Sequence, residues 1–423
     1  MRILWLVNII FPYPAEKMGL KKNVFGGWLL SSLKNLSLNN KVKKIAIVAT
    51  YTGKKMYKID DEKISYYVVP TKSLTKFNRH LENSFKNIID EFNPDIIHIN
   101  GTEFPHSLSM INASGGKVKT ITSIQGLVYK YSSYFMAEIP TKDVIFNITL
   151  RDIIRHNNLY GQRKDFLKRG KYELEALKRS DYIIGRTSWD KACINDITDA
   201  KKYRFCNESL REVFYQGKWD INKINRYTIY ISQASYPIKG FHKVLSAISI
   251  LKKDYPDIVV KVAGANIIKR DNYIERLKIA GYGKYLIKKI KKLGLEKNIE
   301  FIGLQSDKQV HDLLLKSHVF VQASSIENSP NSLGEAMLLG VPIVASYVGG
   351  TADMLKDKEE GLLYPFSESE MIAKYIKDIF SNDELAVSLG NNATKHAKIT
   401  HSLDYNSKKL FDIYKEAINN EKK

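Results

Sequence analysis

Cysteine is nearly missing from this chain: Cys193 and Cys206 are the two in 423 residues. That is too few for a disulfide framework at this size, so a reducing cytoplasm is the expected setting. No apolar stretch approaches the roughly 20 residues that cross a bilayer, which limits membrane contact to a peripheral one. Internal repeats and low-complexity segments are absent as well. No nucleic-acid module or interleaved basic and aromatic motif occurs, so no nucleic acid is expected as a partner. The first apolar run is not followed by G-x-G-x-x-G, which removes the usual signature of a nicotinamide or flavin enzyme. Acidic residues are outnumbered, 45 against 66 Lys and Arg, for a net charge of +21. Such a surplus predicts attraction to something anionic: a nucleic acid, an acidic membrane surface or a phosphorylated substrate. Charge alone does not choose among them.

With 44% hydrophobic residues, the chain is apolar and long enough for two cores, and two domains are expected. Met1 to Pro12 superficially resembles a signal peptide, but it reads as a buried parallel strand entering a glycine loop. β-branched runs alternate with helical patterns at Ile3–Val7, Ile45–Ala49, Ile64–Val69, Ile96–Ile99, Val118–Ser123 and Tyr182–Ile184. This is the rhythm of βαβ units around a parallel sheet. A long aromatic and basic stretch between Ser123 and Tyr182 is expected to be mostly helical. The rhythm restarts at Thr228–Ile231, Ile258–Val262, Ile299–Ile302, Val319–Gln322 and Ile343–Ala345, which sets the domain boundary near Lys218. Leu410, Phe411, Ile413, Tyr414 and Ile418 recur at helical spacing near the end.

The most informative segment runs from Ser325 to Gly340, where Glu327 and Glu335 have seven residues between them. It follows one apolar strand and precedes another. A loop leaving a buried strand and entering a helix gathers N–H groups and the positive helix end around one crevice, suited to an anion such as a diphosphate. Two carboxylates beside it accept hydrogen bonds from sugar or ribose hydroxyls. Ser332-Leu-Gly-Glu335 also reads as a capping box, which would by itself account for Glu335. Glu327 has no such reading, because Pro330 interrupts the helix before it. Lys239, between Pro237 and Gly240, is a point charge after the first strand of the second half, suited to developing negative charge; its plain alternative is a solvated lysine. Gly26-Gly27 lets backbone approach a ligand, or is an ordinary turn. His98, Glu103 and His106 lack a metal-binding spacing, and Asp60-Asp61 reads as a polar turn. Lys-rich Tyr285–Gly294 is amphipathic, with Leu286, Ile290 and Leu293 expected to pack on the second sheet and a membrane-surface role as the alternative.

The E-x7-E segment, the Gly26-Gly27 pair, Pro94–Gly101 followed by Glu103, and Gly349-Gly350 together resemble the retaining glycosyltransferases of family 4. The resemblance extends along most of the chain. It implies an α/β GT-B fold, two Rossmann-like domains facing each other across an inter-domain cleft. Residues 1–218 would form the acceptor-side domain, 219–402 the nucleotide-sugar domain, and 403–423 a helix returning to the first. The implied reaction moves a sugar from a nucleoside diphosphate donor to a growing polysaccharide or lipid-linked glycan, with no metal and no cofactor, at the inner face of the cell membrane. Carried over residue by residue, Glu327 stands near the donor sugar and Lys239 at the departing diphosphate. Gly26 and Gly27 face the donor, Asn331, Ser332 and Leu333 offer N–H groups to phosphate, and Glu335 holds the ribose. Gln125, Glu103 and Arg186 fall on the acceptor or sugar side. Two departures stand out. Many members have histidine where this chain has Gln125, and an arginine where it has Ala234; Arg186 or Arg211 could substitute for the latter. Gly185–Asp190 and Asn207–Arg211 resemble a bacterial subset without a derivable role. A GT-B sugar-nucleotide epimerase and a non-catalytic basic binding protein are the alternatives.

Overall fold

A computed structural model describes residues 1–20 and 26–419; Val24 and Phe25 of the glycine motif and the final Glu-Lys-Lys lie outside the described residues. The chain forms two units. Unit 1 takes Met1–Lys130, Asp165–Arg211 and the described residues from His401 onward; unit 2 takes Tyr131–Lys164 and Glu212–Thr400. The sequence-based boundary at Lys218 therefore differs by a few residues from the observed junction. Segment 131–164, read as part of the first half, packs with unit 2.

Unit 1 is built on β1 (Arg2–Val7), β2 (Lys44–Thr52), β3 (Tyr57–Asp61), β4 (Ile64–Thr71), β5 (Ile96–Asn100), β6 (Thr120–Ser123), β7 (Tyr182–Gly185) and β8 (Tyr203–Phe205), in the order β3-β4-β2-β1-β5-β6-β7-β8. All pairs are parallel except the β3–β4 hairpin. Asp60 and Asp61 thus lie on an edge strand, not in a polar turn, and Asp60 accepts a hydrogen bond from Ser65. Charge on an edge strand discourages pairing with another chain. Alternation along β1 sends Ile3, Trp5 and Val7 to one face and Leu4 and Leu6 to the other, each into its own core. The first core also takes Leu29 and Leu33 from helix Gly27–Ser37 and Phe411 and Tyr414 from helix Leu403–Asn419. Trp5 Nε1 donates to the Tyr414 hydroxyl at 2.9 Å, which fixes that last helix on the sheet.

Unit 2 has an all-parallel sheet of β9 (Thr228–Ile231), β10 (Val259–Ala263), β11 (Ile299–Gly303), β12 (Val319–Gln322), β13 (Ile343–Ser346) and β14 (Leu362–Tyr364), ordered β11-β10-β9-β12-β13-β14. Helix Gly281–Leu293 buries Leu286 and Ile290, as its pattern requires, and lies beside helix Phe241–Leu251. Strand order reverses at β1/β5 in unit 1 and at β9/β12 in unit 2. Loops leaving two such strands diverge to opposite faces, and each sheet therefore opens a crevice at its carboxyl edge. Among the described residues, no helix is long and apolar enough to cross a membrane.

Candidate functional site

Lys239 and Glu327 meet at the carboxyl edge of the unit 2 sheet. The loop after β9 makes a tight turn at Pro237–Lys239 before helix Phe241–Leu251, and the loop after β12 carries Ser324 to Glu327. Backbone contacts tie the two loops together. Ser325 N–H donates to the Ile238 carbonyl at 2.7 Å. Gly240, at φ +66°, approaches so closely that a Cβ would stand 1.6 Å from the Ala323 carbonyl oxygen. Only glycine meets both demands. Lys239 Nζ consequently reaches Glu327 Oε1 at 2.5 Å, and the Ser324 hydroxyl donates to the same oxygen at 2.6 Å. The Glu327 side chain is 9% exposed and that of Lys239 28%, so the carboxylate is enclosed while the cation still meets solvent. Behind the carboxylate, Gly350 N–H donates to the Glu327 carbonyl at 3.1 Å. Gly349, at φ +51°, leaves 1.9 Å between an added Cβ and that carbonyl oxygen. Asn328 N–H donates to the Tyr131 hydroxyl at 3.1 Å. Ser324 and Tyr131 carried no sequence signal, because nothing in two adjacent serines says which hydroxyl will face a carboxylate.

Helix Asn331–Leu339 starts from Pro330 as its N-cap, with no side-chain cap. The capping box expected of Ser332 and Glu335 does not form. Pro330, with its preset φ, begins the helix two residues early for that motif, so Ser332 falls inside the first turn. Its hydroxyl instead accepts from Ser232 at 3.3 Å. Glu335, past the first turn and 3% exposed, has no capping duty. Leu333 N–H already donates to the Pro330 carbonyl at 3.0 Å, which leaves the amides of Asn331 and Ser332 as the first-turn donors for an anion.

In unit 1 the corresponding switch point gathers Gly26, Asn8, Gly101 and Glu103. Gly26, at φ +81°, caps helix Gly27–Ser37 without a side chain, and an added Cβ would stand 1.9 Å from Ile9. Asn8 donates to Glu103 Oε2 at 2.6 Å and accepts at Oδ1 from His106 Nε2 at 2.8 Å. His106 Nδ1 therefore accepts from the Thr50 hydroxyl, 2.9 Å away. Burial lowers His106 to about 4, so this ring stays neutral at pH 7. Burial pushes Glu103 up to about 6, opposed by hydrogen bonds, including the one from Asn8, and by the charges of Arg186 and Arg169. His98 is fully engaged too, Nδ1 with Tyr414 at 2.6 Å and Nε2 with Ser123 at 2.7 Å.

Glu208 organises the other two candidates of unit 1. Gln125 Nε2 donates to one oxygen at 2.5 Å and Arg186 Nη1 to the other at 2.6 Å. Arg186 Nη2 also donates to the Ile124 carbonyl at 2.5 Å. The guanidinium charge is thus committed to Glu208, which argues against Arg186 as the replacement for the arginine missing at Ala234. A recess beside this cluster is lined by Trp28, Asn100, Arg186 and Glu208, with Leu410 from the last helix. The Asn100 amide nitrogen bordering it has no protein partner among the described residues.

Residues 214–396 match the family model described as glycosyl transferases, group 1. That segment belongs to the family. The matched segment holds Lys239, Glu327, Asn331, Ser332 and Glu335, and Tyr131 of the unit 2 arrangement lies outside it. A glycosyltransferase of unestablished role from Methanocaldococcus jannaschii is 24% identical over 331 residues, 76% of this chain and 83% of that protein. Spore coat protein SA of Bacillus subtilis is 23% identical over 185 residues. The chain spans 46% of that relative's length. Among solved structures, sucrose-phosphate synthase from Thermosynechococcus elongatus superposes with a TM-score of 0.72 at 14% identity, covering 98% of both chains. HepE of Anabaena, in complex with UDP and glucose, gives 0.69 at 14% identity over 98% of this chain and all 100% of HepE. These likenesses make the fold GT-B.

Proposed function

We propose that the chain is a retaining glycosyltransferase that moves a sugar from a nucleoside diphosphate donor to a glycan or lipid-linked acceptor. The observation that carries the reading is the Lys239–Glu327 pair at the β9/β12 switch point, with an amide-bearing helix start four residues beyond Glu327. A diphosphate at that point meets the Lys239 ammonium and the amides of Asn331 and Ser332, and no resident metal is required. Glu327 is oriented by Ser324 and takes the hydroxyls of the donor sugar. Glu335, buried without a capping role, takes the ribose. The bond from the anomeric carbon to the terminal phosphate oxygen breaks with its electron pair going to that oxygen. The acceptor oxygen bonds the carbon from the same face, and its proton passes to the departing phosphate. Lys239 stabilises the charge that develops on the diphosphate.

A thermal-shift screen of nucleoside diphosphates and their sugars tests the donor, since a ligand of the folded state raises the apparent melting temperature. Transfer and hydrolysis assays with and without acceptor glycans then test the reaction. One nucleoside diphosphate is expected to stabilise the protein, and its sugar to turn over faster with acceptor present. No shift from any nucleotide would overturn the reading; an altered free sugar formed without acceptor would move it to an epimerase.

A further inference from the structure

Segment 131–164 is fastened to the rest of unit 2 at its base and carries apolar side chains at its tip. The fastening is polar and mostly backbone-directed. The Ser325 hydroxyl donates to the Tyr134 carbonyl at 3.0 Å, and His242 Nε2 to the Ala137 carbonyl at 2.8 Å. Asp152 accepts from Gly281 N–H at 2.8 Å while completing a capping box with Thr149. Through these contacts helices Thr141–Phe146 and Leu150–Ile154 lie beside helices Gly281–Leu293 and Tyr273–Lys278.

On this fixed mount, Phe146 is 72% exposed, Leu150 64%, Ile153 61% and Ile154 69%. The neighbouring helix adds Tyr273 at 74% and Ile274 at 62%. Single apolar residues on a surface need no explanation, but a cluster on adjoining helices does. Its surroundings are cationic: residues 141–155 and 269–292 hold twelve Lys and Arg against four Asp and Glu. Lys142, Arg155, Lys278 and Lys288 make no ion pair among the described residues. Nucleic acid would satisfy the cations and leave the aliphatic side chains in water. An anionic bilayer takes both, the side chains at the boundary of headgroup and acyl chain and the cations among the headgroups. The basic helix Gly281–Leu293 cannot supply the apolar part itself, since Leu286 and Ile290 are buried.

We propose that this face docks unit 2 on an anionic membrane surface, with Phe146, Leu150, Ile154 and Ile274 entering the lipid boundary. The inference stands on exposure and charge and does not depend on the transferase reading. It is tested by cosedimenting the full chain with phosphatidylcholine vesicles, with and without phosphatidylglycerol, across a salt series. Binding is expected to require the anionic lipid and to weaken as salt rises. Phe146→Ser, Ile154→Ser and Ile274→Ser combined should weaken it by about tenfold or more, at unchanged melting temperature and unchanged nucleotide-induced shift. Arg155→Glu with Lys278→Glu should weaken it too, whereas Lys54→Glu with Lys55→Glu, on unit 1, should change it little. Salt-sensitive binding that survives the triple serine variant overturns the proposal. So does failure to bind anionic vesicles at low salt, including the case in which the triple variant instead disperses a dimer and gives the face to a second copy.

Discussion

Lys239 Nζ and Glu327 Oε1 stand 2.5 Å apart, so each residue sets the charge environment of the other. Lys239→Ala is expected to lower turnover at saturating donor by about 10²- to 10³-fold. Its melting temperature should fall somewhat, because the enclosed Glu327 carboxylate loses its cation and keeps the Ser324 hydroxyl. Glu327→Gln should lower turnover as well, and the double variant should lose less than the product of the two effects. Steady-state rates of the three variants check this. Multiplicative losses would show that the residues act separately.

Gly240→Ala and Gly349→Ala test the close backbone approach that brings the pair together. Both positions have left-handed φ, and Gly116, at φ +76° with nothing within 4 Å of an added Cβ, serves as the reference. Gly116→Ala should cost about 1–2 kcal/mol for its backbone conformation alone. The other two should cost clearly more in denaturant unfolding, and should lose donor affinity. Equal costs at all three sites would remove the approach from the explanation.

Ser332→Ala separates the observed helix start from the capping box. With Pro330 as the N-cap, the substitution should leave stability within about 0.5 kcal/mol, whereas loss of a true serine cap costs about 1 kcal/mol. Glu335→Gln is expected to weaken nucleotide binding at unchanged stability, as read by calorimetric titration beside a melting curve.

Glu173 gives the fold a pH dependence of defined sign. It is buried, accepts hydrogen bonds from the Thr102 hydroxyl at 2.6 Å and Tyr129 N–H at 2.8 Å, and is pushed by burial up to about 8. A carboxyl raised in the folded state binds its proton more tightly there than in the unfolded chain. Its contribution is complete below the unfolded value near 4.5 and is lost as pH rises towards 8, at up to about 1.4 kcal/mol per pH unit. Glu103 adds the same trend up to about 6. Urea unfolding of Glu173→Gln between pH 6 and 8 should show a flatter stability profile than the parent chain. Parallel profiles would assign the dependence to other groups.

The sheets were largely legible because buried parallel strands require apolar, β-branched runs such as Ile96–Ile99 and Ile343–Ala345. β8 and β14, at 3 residues each, are too short for any period to register, and β3 is a polar edge strand. Lys239 and Glu327 were legible one at a time. Their contact, across 88 positions, depends on Ser325 N–H finding the Ile238 carbonyl, and backbone groups leave no trace in residue identity. The same reason hid the affiliation of segment 131–164, which is held partly through the carbonyls of Tyr134 and Ala137. At Ser332 a local motif was outweighed by the proline two residues before it.

The bond between Trp5 and Tyr414 spans 409 positions. It also sets a timetable for a chain made from one end. At about 5–20 residues per second, β1 emerges roughly 20–80 s before the helix that covers one of its faces. Unit 2 needs nothing beyond Thr400 and can close first. Through that interval Ile3, Trp5 and Val7 have Leu29 and Leu33 beside them but not yet Phe411 and Tyr414, so the newborn chain passes through a stage in which one unit is finished and the other presents part of one core to whatever holds nascent proteins apart.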